Sequence, residues 1–283
     1  MSIQPAYLVI AGETVLVLSG LAFLGWLFIA RAGKALRARP PQLRPWTISV
    51  TDALLFLWFI FTVGAVGQIT VHELAGKSLH RLAEGPTLEI IVYGSMFHVG
   101  AVLAWLIAAP VLRRRAAPLP DPAPAPKAGP GKTAGMALLT LLGALPLVSA
   151  TAMLWEQLLA ALGLPTEHQE LIDLIAGAKS PVLVTLMISL ALIIAPVAEE
   201  LVFRAGLFRF LRTRAPRWVA FVSSAGLFAL LHSNWASALP LFVLGLIFAA
   251  AYECTGRIAV PMIAHALFNL NTLLIVLSGA SDL

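Results

Sequence analysis

Eight long apolar stretches decide what this chain can fold into: about 7–30, 49–70, 88–112, 134–155, 182–203, 217–233, 238–255 and 258–278. A helix needs about 20 apolar residues to cross a ~30 Å hydrocarbon layer, and each stretch meets that length at least approximately. The sixth and seventh are the shortest. Only 12% of the residues are charged, against roughly 25% in a soluble domain. The expected fold is therefore an all-α polytopic membrane bundle of about eight transmembrane helices, an integral multi-pass protein in contact with membrane lipid.

Orientation follows from the basic residues. The first run, Tyr7 to Ala30, is longer than a signal-peptide core and has no Lys or Arg before it, so it reads as a retained helix. Arg31, Lys34, Arg37, Arg39 and Arg44 follow it, which places the N-terminus outside the cytoplasm. The loops 31–48, 113–133, 204–217 and 256–258 then hold sixteen of the nineteen Lys and Arg residues on the cytoplasmic side. Because these cations sit in short clusters between apolar runs, the net charge of +5 reports membrane topology and excludes nucleic acid as a partner. The single cysteine, Cys254, excludes an intrachain disulfide and any multi-cysteine metal site, and reads as a small buried residue.

A Pro/Ala-rich segment at 116–133 reads as an extended cytoplasmic linker. It separates an N-terminal three-helix region, 1–115, from a C-terminal five-helix region, 134–283. The first region carries isolated polar residues, Glu13, Asp52 and His98, without a repeating spacing. Its outer-loop trio His72, Glu73 and His80 lacks the one-turn spacing of HExxH and reads as solvated. The stretch 156–180, with Glu167, His168, Glu170 and Asp173, reads as an outer amphipathic helix.

The chemistry-bearing residues are in the second region. The fifth apolar run ends Ala198-Glu199-Glu200-Leu-Val-Phe-Arg204, and a charge at the bilayer centre costs at least ~2.5–3.5 kcal/mol on insertion scales. Glu200 has a partner four residues on, Arg204, in the favourable order for a helical pair. Glu199 points about 100° away on an α-helix and has no local partner. The sixth run ends Phe228-Ala-Leu-Leu-His232, and the last carries His265-Ala-Leu-Phe-Asn269, each pair stacked on one helix face. Counted from Arg209, Glu199 lies ~15 Å inside the bilayer, and counted from Arg257, His265 lies ~12 Å inside. A hairpin turning near Ala215–Pro216 sets His232 opposite the glutamates. Three helices are thus expected to bring polar groups to one level in the cytoplasmic half of the membrane.

EExxxR, FxxxH and HxxxN, in this order on successive C-terminal helices, resemble the CPBP family of intramembrane endopeptidases, which includes the CAAX prenyl endopeptidases and their bacterial relatives. The resemblance covers about residues 180–275. It implies hydrolysis of a peptide bond in a membrane-associated or lipid-anchored peptide substrate. Glu199 is then the general base, with Glu200 beside it. His232 holds or polarises the water, and His265 and Asn269 bind the oxyanion, while Arg204 and Phe228 are structural at the site. A second arrangement uses His232, His265 and Glu199 as ligands of Zn²⁺ with an open water position, and the two versions stay open at this point. If Arg204 occupies Glu200, one glutamate must be ligand or base, which favours the metal-free form. Two other classes fit the same residues. One is a membrane scaffold or immunity protein that keeps the polar site for stability. The other is a proton-coupled transporter, although the N-terminal half has no counterpart of the Glu–Glu helix. The Ala-, Arg- and Pro-rich composition points to a bacterial cytoplasmic membrane.

Overall fold

A helix apolar on all sides suits lipid as its solvent. The computed structural model of the chain describes residues 5–38, 40–82, 84–117, 129–166 and 177–278, and contains no strand among them. Its helices are α1 (Pro5–Ile29), α2 (Arg31–Arg37), α3 (Val50–His80), α4 (Gly85–Arg115), α5 (Pro130–Ala161), α6 (Pro181–Arg214), α7 (Arg217–Leu230), α8 (Trp235–Thr255) and α9 (Ala259–Leu277). All except α2 and α7 are long and apolar enough to cross a membrane, seven among the described residues. The polytopic helical bundle expected from the sequence is therefore what the chain forms. Residues 118–128 of the expected linker, and Glu167, His168, Glu170 and Asp173 of the expected outer helix, lie outside the described residues.

One span differs from expectation. The apolar run 217–233 becomes α7, with 14 residues, or ~21 Å at 1.5 Å per residue. That is short of the ~30 Å layer. Polar residues end it: Ser233 takes a left-handed φ of 51°, and the Asn234 side chain accepts from the Ser237 N–H at 2.8 Å, capping α8. Apolar Leu230 and Leu231 mask this break in a hydropathy reading.

The helices fall into two compact units, each drawing on both sides of the linker. The first comprises Met1–Leu43, Ala125–Ala176 and Phe221–Leu283, and the second Arg44–Pro124 and Gly177–Ala220. In the first unit, α5 packs against α1, α8 and α9. Its core joins Ala137, Ala144 and Val148 of α5 to Leu244 and Phe248 of α8 and to Val260 and Ala264 of α9. A Cβ on Gly245 would lie 2.9 Å from that of Ala225, so the missing side chain lets α7 and α8 close on one another. Cys254, expected to be buried, is exposed.

In the second unit, α3 and α4 pack along their lengths, and α4 also lies against α6. A Cβ on Gly100 would stand 2.8 Å from the Val63 carbonyl oxygen and 2.9 Å from the Gly64 Cα. Gly100→Leu is therefore expected to wedge α3 from α4 and cost about 1–3 kcal/mol, read as a lowered unfolding temperature in detergent. At the basic helix ends, the irregular segment before α3 is tied to α6. Arg209 donates to the Arg44 carbonyl at 2.9 Å. Arg214 donates to those of Trp46 and Ile48, and the Trp46 N–H donates to Thr213 Oγ1. Asp52 pairs with Arg115. These bonds satisfy backbone carbonyls that no helix covers. At the opposite end, the residues expected to be merely solvated are joined: His72 meets the Tyr93 hydroxyl at 2.7 Å, Tyr93 donates to Glu89, and His80 meets Glu89 at 3.1 Å.

Candidate active site

The glutamates lie on α6, which is not a uniform α-helix. It widens into π-helical turns at Leu190–Ile194 and again at Glu200–Phe208, with a short α-helical piece, Ala195–Glu199, between them. Pro196 gives a local reason for the first, because it has no N–H for the carbonyl one turn back and its ring crowds that carbonyl. Turns of this kind interrupt α-helices at functional sites more often than elsewhere. Glu199 is thus the last residue before a nine-residue π segment.

Glu200 and Arg204 form the pair expected from their spacing, at 2.9 Å, with both side chains fully withdrawn from solvent. The counting along α6 is altered, since wider turns advance less per residue than the α-helical 1.5 Å.

Glu199 faces a residue that sequence reading left aside. His98 Nε2, from α4, stands 3.5 Å from Glu199 Oε1, with the two side chains only 23% and 16% exposed. The other ring nitrogen, Nδ1, is 2.7 Å from the Gly94 carbonyl oxygen. A carbonyl only accepts, so Nδ1 carries a hydrogen and Nε2 is the nitrogen presented to the carboxyl group. A like signal was available in the sequence. His98 lies seventeen residues before Arg115, and Glu199 fifteen before Arg214. Measured from these basic ends the two share a level, whereas Arg209 as the reference hides the match.

The second and third motifs belong to the first unit. The Phe228 ring is fully buried, with the ring of His232 4.8 Å away on one side and that of His265 6.0 Å away on another. His265 also lies 5.2 Å from Phe248 and is 4% exposed. Phe228 is thus the surface on which the two histidines meet. His232 is not within a helix, as expected, but in the turn after α7. Its Nδ1 donates to the Phe228 carbonyl at 2.7 Å, one of the orphan acceptors of the helix end, and this too leaves Nε2 as the nitrogen on offer. Asn269, half-buried, follows His265 by one turn on α9. The structure therefore brings together Glu199, Glu200, Arg204 and His98 in the second unit, and Phe228, His232 and His265 in the first.

Among the described residues, no three His, Cys, Asp or Glu side chains gather into a ligand set for a metal ion. Of the donors named for Zn²⁺, Glu199 belongs to the second unit and His232 and His265 to the first.

Comparison with known proteins addresses the same stretch of chain. Residues 181–271 match the family described as type II CAAX prenyl endopeptidase Rce1-like. Among curated proteins, the chain is 34% identical over 86 residues to the putative membrane peptidase YdiL of Bacillus subtilis, covering 30% of this chain and 35% of that protein. It is 41% identical over 83 residues to the membrane-embedded CAAX protease MroQ of Staphylococcus aureus, covering 27% of this chain and 34% of that one. The chain thus spans about a third of the length of the curated relatives it matches. No solved structure matches. His98 lies outside the matched residues, while all three motifs lie inside them. Over residues 181–271, which carry EExxxR, FxxxH and HxxxN, the chain is similar to the type II CAAX prenyl endopeptidase Rce1-like family.

Proposed function

We propose that the protein is an intramembrane endopeptidase that hydrolyses a peptide bond of a membrane-associated or lipid-anchored peptide, with Glu199 activating the water. The observation that carries this reading is the buried Glu200–Arg204 pair at 2.9 Å. It pairs one glutamate of the doublet within the helix, which distinguishes Glu200 from Glu199.

In the proposed reaction, the Glu199 carboxylate takes a proton from water as the water oxygen bonds to the scissile carbonyl carbon. The carbonyl π electrons move onto oxygen, where His265 and Asn269 donate hydrogen bonds to the oxyanion. His232 orients the water. Collapse of the tetrahedral intermediate breaks the C–N bond, and the proton held by Glu199 passes to the leaving nitrogen. The products are a carboxyl terminus and an amine. Glu199 and water account for every proton in the reaction.

The reading is tested in cells by comparing peptide termini in membranes carrying wild-type or Glu199→Ala protein. New C-termini are expected with the wild type alone. A scaffold or a transporter produces identical termini in both.

We further propose that the site opens toward the cytoplasm of a bacterial membrane, on the strength of the Lys and Arg distribution. Cys254 is exposed and lies three residues from Arg257. A membrane-impermeant maleimide is expected to label it in inside-out vesicles and not in intact cells. The reverse pattern inverts the orientation.

A further inference from the structure

We infer that His98 is a positioning residue for Glu199, holding its carboxyl group in the plane from which it addresses water; the inference rests on the endopeptidase reading above. A general base works when it is itself oriented by a third group. His98 is built for that part.

The ring is fixed at both ends. Nδ1 is held by the Gly94 carbonyl at 2.7 Å, an interaction within the same helical turn. The ring also meets Phe97 edge-on, with centroids 5.7 Å apart. Nε2 then has one direction, toward Glu199 Oε1 at 3.5 Å, and it holds the carboxylate as the second N–H donor of an imidazolium. With both side chains mostly withdrawn from solvent, water competes little for the contact. Because a carboxyl group is planar, holding Oε1 also fixes the direction of Oε2.

Glu199 stands where the α-helical piece Ala195–Glu199 gives way to the π segment Glu200–Phe208. The partner comes from α4, which packs against α6 on either side of this junction. One of the N-terminal helices, outside the family-matched residues, thereby acquires a part in the site.

The test uses the full chain in lipid nanodiscs with ring-¹⁵N histidine. Its cleavage probe is an internally quenched peptide bearing a farnesylated cysteine followed by three residues. The His98 ring signals, assigned by their loss in His98→Gln, are expected to move in Glu199→Gln. His98→Phe is expected to lower kcat by about 10²-fold, the effect of a misplaced reacting group, with KM changed by no more than about twofold. His98→Gln, whose amide N–H can reach the place of Nε2, is expected to recover most of that loss. Unmoved ring signals in Glu199→Gln, or wild-type turnover in His98→Phe, overturn the inference. A wild-type protein that leaves the probe intact counts against the endopeptidase reading alone, because the ring signals still report whether His98 and Glu199 touch.

Discussion

Glu199→Gln is expected to lower turnover of a cleavable membrane peptide by about 10²–10⁴-fold, the usual contribution of a positioned general acid–base. The substitution keeps the volume of the side chain and an oxygen that can accept a hydrogen bond. It removes only the capacity to take a proton from water and return it to the leaving nitrogen. At 1.36 kcal/mol per decade, the loss corresponds to roughly 3–5 kcal/mol of transition-state stabilisation. Folding should be spared, because the Glu200–Arg204 pair that neutralises this part of α6 is intact. Single-turnover cleavage in nanodiscs, beside an unfolding curve for the same preparation, separates the two effects. A slow but folded variant is the expected result, and wild-type cleavage contradicts it.

Arg204→Met is expected to act in the opposite way, through stability. Arg204 and Glu200 are both fully buried and 2.9 Å apart, so each charge offsets part of the other's desolvation. Removing one partner of such a pair costs about 3–5 kcal/mol, because the remaining charge stays buried without compensation. Replacing both by apolar residues of similar volume is often neutral. Glu200→Met combined with Arg204→Met should therefore be more stable than Arg204→Met alone, despite carrying one more substitution. Thermal unfolding of the two variants in detergent checks the order. Equal loss in both would mean that packing around Arg204, rather than its charge, sustains α6.

Much of the fold was legible because hydrocarbon imposes a length rule that apolar runs report directly. The end of the sixth run was not. Hydropathy averages over Leu230, Leu231 and Trp235 and passes across the Ser233–Asn234 break, where a left-handed backbone and a side-chain cap end the helix. The i,i+4 pairing of Glu200 with Arg204 was readable from spacing alone, since it lies within one turn of one helix. The meeting of His232 and His265 on Phe228 was only half readable, because spacing shows which residues share a helix face and not which aromatic ring lies between two helices. His98 was missed for a different reason. Its partner lies a hundred residues away on another helix, and the depth estimate rested on Arg209. That arginine is spent on the Arg44 carbonyl, whereas the matching helix ends are Arg115 and Arg214. The π-helical turns of α6 left one local signal, Pro196, which explains the first turn but not the second.

The most direct test of the central claim, that Glu199 activates water for peptide hydrolysis, is cleavage in H₂¹⁸O by purified wild-type and Glu199→Gln protein in nanodiscs. Mass spectrometry then reads the newly formed C-terminus. One ¹⁸O atom in the new carboxyl group, formed by the wild type and absent with Glu199→Gln, is the predicted result. Cleavage by Glu199→Gln at the wild-type rate, with the same ¹⁸O incorporation, would contradict it.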